Sequence, residues 1–175
     1  QVVKYLLGKG ATITGPSGRN EWTPLMFAAF RGHFDTVELL LKAGAPADDK
    51  AGNPIHFAGQ RGHRAICRLL VEHGAVDNLV RAKDADLVDL FRATYSFDAD
   101  SVADILQRRP ELVNRKDKNG RTPLHEACTH GDRRTVKILL NSGASINAID
   151  RRGQTPLHRA QAHGKSSVIK LLESQ

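Results

Sequence analysis

The chain has 175 residues, 40% of them hydrophobic and only 5% aromatic. That is enough for one ordinary domain or several short repeats, with alanine and leucine supplying the apolar surface, and no apolar run reaches the length of a membrane span. Two cysteines argue against a disulfide framework and for a reducing, intracellular setting, cytoplasmic or nuclear, and the net charge of +7 is one-sided: residues 1–114 carry 14 Lys/Arg and 14 Asp/Glu, residues 115–175 carry 12 and 5.

The opening Gln1-Val2-Val3-Lys4 has no initiator Met and no signal-peptide layout, and reads as the middle of a helix. We therefore expect a piece of a longer array or protein, with residues 1–14 a partial repeat leaving through Gly10-Ala11. Residues 18–47 hold Trp22, a first helix opened by Thr23-Pro24-Leu25-Met26, a break at Gly32-His33, a second helix over Val37 to Leu41 and an exit at Gly44-Ala45. Residues 48–80 repeat this order from Asn53-Pro54-Ile55-His56, with Gly62-His63 and Gly74-Ala75. This copy starts 30 residues after the last, so the turn around Asp48-Asp49-Lys50 is expected to be short.

Residues 81–114 depart from the pattern. They lack Thr-Pro-Leu and a turn glycine, yet Leu87, Leu90, Phe91, Ala93 and Thr94, then Val102, Ile105 and Leu106, spell a helix pair. Pro110 to Asn114 replaces the Gly-Ala exit. We read a degenerate but stacked repeat in preference to a kink or two sub-arrays joined near residue 80.

Residues 115–147 are the clearest copy. Asp117 to Arg121 reads as a tight turn around Gly120. Thr122 can cap the exposed N–H groups of a helix for which Pro123 suits the first turn. Leu124, Ala127 and Cys128 make one apolar stripe, and Val136, Ile138, Leu139 and Leu140 a second. Residues 148–175 follow suit, from Asp150-Arg151-Arg152-Gly153 through Thr155-Pro156-Leu157-His158 to Leu172, with the second Thr-Pro-Leu-His motif 33 residues after the first.

Self-similarity at this period indicates stacked helical repeats. The order of turn, Thr-Pro-Leu-His helix, Gly-His break, Val-x-x-Leu-Leu helix and Gly-Ala exit resembles the ankyrin repeat over nearly the whole chain. The resemblance implies an all-α repeat solenoid, L-shaped in section, of about five antiparallel helix pairs with β-hairpin fingers. It also implies that His56, His125 and His158 brace neighbouring turns by hydrogen bonding. Asn114 and Asn147 resemble the ankyrin asparagine that an oxygen-sensing hydroxylase modifies, and a turn-bracing side chain is the preferred reading of both.

No catalytic constellation emerges. The serines lack a nucleophile context, and there is neither a phosphate loop nor a dinucleotide fingerprint. His125-x-x-Cys128 and His63-x-x-x-Cys67 have helical spacing that could pair two metal ligands, but tetrahedral zinc needs three or four. Buried cysteine is the better reading, so we expect no metal and no cofactor.

The resemblance implies partner contacts at the finger tips and on the exposed side of the first helices. The residues there are Trp22, Phe30, Arg31, Gln60, Arg61, Lys118, Asn119, Arg121, Thr129, His130, Arg151, Arg152, Gln154 and His163. Trp and Arg are enriched at interface hot spots, so Trp22 with Phe30 reads as an aromatic anchor and Arg121, Arg151 and Arg152 as a basic groove. The expectation is a monomeric, non-catalytic module that binds a protein with an acidic and apolar surface on its concave face. Nucleic-acid or other polyanion association through the basic end is the alternative, weakened by the absence of interleaved aromatics there. A third reading is the regulatory or targeting part of a larger enzyme.

Overall fold

The structure, a computed structural model, describes residues 8, 10, 13–15, 22–48, 53–76 and 84–175. Apart from Gly8 and Gly10, the expected half-repeat over Val2 to Ala11 lies outside them, as does the turn at Asp49-Lys50. The chain divides into two compact units, Gln1–Ala75 and Val76–Gln175.

In the first unit, α1 (Pro24–Arg31) and α2 (Phe34–Lys42) form one pair, α3 (Pro54–Arg61) and α4 (Arg64–Glu72) the next. The α1 helix starts where the sequence expects. Extended Thr23 accepts the Met26 N–H on its Oγ1 at 3.3 Å, and Pro24 stands where an N–H would have no intrahelical acceptor. Asn53 opens α3 in the place of Thr and does two jobs. Its Oδ1 accepts the Ile55 N–H at 3.1 Å, while its Nδ2 donates to the Ala75 carbonyl at 2.7 Å, tying the start of α3 to the exit from α4.

First helix packs on first helix, α1 against α3, and second on second, α2 against α4. Leu25, Ala29, Val37, Ile55, Ala58, Cys67 and Leu70 fill the space between them. The break after α1 needs glycine for two reasons. Gly32 has φ +78°, and the His63 ring lies 2.6 Å from where a Cβ would stand. That imidazole approaches because its Nε2 bonds the Phe30 carbonyl at 3.3 Å.

The second unit holds α5 (Ala85–Ser96), α6 (Ala99–Arg108), a 3-10 turn (Pro110–Asn114), α7 (Pro123–His130), α8 (Arg133–Asn141), α9 (Pro156–Ala162) and α10 (Ser166–Glu173). Helices α5, α7 and α9 form one row, α6, α8 and α10 the other. Leu124, Ala127, Cys128, Val136 and Leu139 are fully buried between the rows.

The degenerate repeat keeps its helix pair by other means. Phe97, at φ +60°, ends α5 in the left-handed position that glycine takes at the other breaks, at a cost of about 1–2 kcal/mol. Its ring is buried and stacks on that of His130 at 5.5 Å. Arg109 clasps the start of α5 to the turn after α6, donating to Asp84 at 3.0 Å, Asp86 at 2.9 Å and Glu111. Asn114 bridges forward, its Nδ2 to the Gly143 carbonyl at 3.0 Å and its Oδ1 from the Ser145 N–H at 2.8 Å.

Ten helices and no sheet make up the described residues, so the fold is that of an all-α repeat solenoid. Where the resemblance implies β-hairpin fingers, the described residues hold turns closed by an aspartate. Asp117 Oδ1 accepts the N–H groups of Asn119 and Arg121 at 2.8 Å, and Asp150 Oδ1 those of Arg152 and Gln154 at 2.8 and 3.0 Å. One backbone bond, from the Arg151 N–H to the Asn119 carbonyl at 3.0 Å, joins the two turns.

Candidate partner-binding faces

In the first unit, Trp22 stands just before α1 and meets three phenylalanines. Its ring centroid is 4.5 Å from Phe57, 5.2 Å from Phe30 and 6.3 Å from Phe27. The first two of these lie on the two first helices, so the indole bridges α1 and α3. Edge-on and tilted geometries of this kind are favourable for ring quadrupoles. Two guanidiniums complete the group. Arg61 lies 4.2 Å over the Phe30 ring and Arg31 5.3 Å over Phe27. Phe27 is 49% exposed, and both arginines are exposed. Gln60, half-buried, precedes Arg61 on the last turn of α3.

Phe27 and Phe57 were missed in the sequence, although a signal for them existed. Each is the third residue after its helix-opening proline, Pro24 or Pro54. Glu126 and Arg159 fill the same place after Pro123 and Pro156. The column is aromatic in the first unit and charged in the second.

In the second unit the expected residues separate into two sets. Arg151 and Arg152 are exposed on their turn, with Lys118 and Asn119 half-exposed on the turn before it. Gln154 serves through its backbone. His125 Nδ1 accepts the Thr122 N–H at 3.1 Å, which leaves Nε2 protonated to donate to the Gln154 carbonyl at 3.0 Å. Burial holds this imidazole below its ordinary pKa, so it is neutral at pH 7. Both of its nitrogens are engaged.

Arg121, by contrast, turns inward. Its guanidinium donates to Glu126 Oε1 at 2.9 Å, with the two side chains 11% and 0% exposed. Its charge is spent inside the fold. Thr129 is buried too, donating to the His125 carbonyl at 2.8 Å and accepting from Arg159 Nε at 3.0 Å. His130 is buried with its ring 5.2 Å from Tyr95. His163, half-buried just after α9, is held below its usual pKa by burial and by the charges of Arg159 and Lys165.

The two turn aspartates differ in their electrostatics. Burial first, then the charge of Glu126, raise Asp117 to about 6, against the opposing pull of the Arg121 and Asn119 N–H groups. For Asp150 burial also acts upward, but the Gln154 and Arg152 N–H groups prevail and the carboxyl is lowered. Burial pushes the Cys67 thiol up to about 12 and raises Cys128 further, so neither offers a thiolate at neutral pH.

A family model described as ankyrin repeats (3 copies) matches residues 1–82 and 90–175. No curated protein matches the chain. Ankyrin repeats are generally protein–protein interaction modules. With that match over most of its residues, and with paired helices and glycine breaks in each unit, the chain belongs to the ankyrin-repeat family.

Proposed function

We propose that the chain is a non-catalytic module that holds a partner protein against its turns and first helices. One observation carries this reading. In the first unit Arg31 and Arg61 stand exposed at the ends of the first helices, and in the second unit Arg151 and Arg152 stand exposed on a turn, while the apolar stripes of the first helices are buried. Exposed Arg of this kind suits a partner with acidic and apolar features. The setting proposed is intracellular, cytoplasmic or nuclear, and the module acts as a monomer.

The test compares the native chain with two charge-reversed variants, Arg31→Glu/Arg61→Glu and Arg151→Glu/Arg152→Glu, as baits for a cell extract. A protein retained by the native chain and lost with either variant, at unchanged helical circular dichroism, supports the reading. Equal retention by all three baits overturns it.

The excess of seven positive charges in residues 115–175 favours a second reading, binding to a polyanion such as nucleic acid. Affinity for a generic duplex that falls steeply with added salt, and that the Arg151→Glu/Arg152→Glu variant loses, would establish it in place of the first.

A further inference from the structure

We infer that the Trp22 face of the first unit is a docking site for an acidic peptide segment, one apolar side chain of which seats on the rings while its carboxylates bind Arg31 and Arg61. The inference rests on the reading of the chain as an interaction module and names one partner chemistry for one of its faces.

Among the described residues, the charge on this face has no acidic counterpart. Arg31 and Arg61 each make a ring contact, to Phe27 and Phe30, and no carboxylate of the described residues pairs with either. Three arginines of the second unit are instead spent on acids. Arg121 is spent on Glu126, Arg109 on Asp84, Asp86 and Glu111, and Arg134 on Asp100. A guanidinium held over a ring face can still offer N–H groups to a planar carboxylate through two parallel bonds. The ring also fixes the side chain beforehand, so less conformational freedom is lost on binding.

The apolar half of the site is equally specific. Phe27 leaves 49% of its surface exposed beside Trp22, and Trp22 links it to Phe30 and Phe57. The exposed part of Phe27 offers apolar surface for one side chain flanked by charge. Single-stranded nucleic acid, which also favours aromatics and arginine, fits less well. A base needs an open ring face, and Arg61 already lies over the Phe30 ring, with Arg31 over Phe27.

Trp22 is the chain's only tryptophan, so its emission reports on this face alone. The probes are three short synthetic oligomers: a Glu/Asp-rich peptide with a central Leu-Phe, the same peptide with Lys for every acid, and an oligothymidylate. The acidic peptide is expected to shift Trp22 emission saturably, more weakly as salt rises, with no response to the Lys peptide. Arg31→Gln/Arg61→Gln should weaken binding about tenfold or more. Arg61→Lys keeps the charge but loses the planar fork, and should fall between. Arg151→Gln/Arg152→Gln should leave the affinity unchanged.

A silent Trp22 with the acidic peptide up to about 1 mM, the weak end of measurable affinity, overturns the inference. So does a response to the oligothymidylate alone, or binding lost with Arg151→Gln/Arg152→Gln and kept with Arg31→Gln/Arg61→Gln. Each of these outcomes leaves the wider reading standing, because a protein partner engaging the second unit would still be retained from the extract.

Discussion

Arg121 and Glu126 form a 2.9 Å ion pair inside the second unit, between a turn and the first helix that follows it. A pair this buried is costly to break from one side, because a charge taken out of water loses its counterion. Arg121→Ala should therefore destabilise the fold by about 3 kcal/mol, while Arg121→Met/Glu126→Leu, which removes both charges at similar volume, should recover most of that. Urea denaturation checks both. A single variant as stable as the native chain would show that the pair does not support the fold.

Asp117 and Asp150 occupy equivalent turns but should respond oppositely to pH. The folded pKa of Asp117, about 6, lies above its ordinary value of 3.8. Between those two values the folded state binds more protons than the unfolded state, so the Asp117 contribution falls as pH rises through about 6. Asp150 is lowered in the fold, so its contribution is present above the ordinary carboxylate pKa and lost as pH falls through its folded value. Asp117→Asn keeps the acceptor oxygen without the charge and should gain stability relative to the native chain on going from pH 5 to pH 7. Asp150→Asn should not. Thermal melts across that range give the two difference curves, and parallel curves would refute the assignment.

Gly32→Ala should destabilise the first unit by about 1–3 kcal/mol, since it combines strain at positive φ with a Cβ driven into the His63 ring. Gly143→Ala shares a positive φ, but nothing lies within 4 Å of its Cβ. The difference between the two, measured by denaturant titration, isolates the steric part.

Cys67 and Cys128 should resist a soluble disulfide reagent in the native state and react once the chain is unfolded. Both are fully buried, and desolvation holds each as the neutral thiol. Fast labelling of either at neutral pH would contradict this packing.

The helix starts were legible because capping and proline chemistry are local. Thr23, Asn53, Thr122 and Thr155 each stand at the N-terminal cap of a first helix. The apolar stripes were legible from period alone. Phe97 was not. Nothing local marks a phenylalanine for the left-handed conformation, and its packing on the His130 ring appears only in the fold. Arg121 was misjudged for a similar reason. A turn arginine reads as exposed until the acid three residues after Pro123 is known to point inward, and that column becomes visible only when the copies are aligned by their prolines. The same alignment would have disclosed Phe27 and Phe57.

The backbone bond from Arg151 to Asn119 has a mechanical consequence. It pins one turn to the next through main-chain atoms, and the His125 imidazole reinforces it by donating to the Gln154 carbonyl. The spacing of Lys118, Arg151 and Arg152 is thereby set by peptide geometry, not by the reach of their side chains. The tips work as the graduations of a ruler. A partner is measured against a fixed interval, and substitutions at the tips change what is written at each mark without moving the marks.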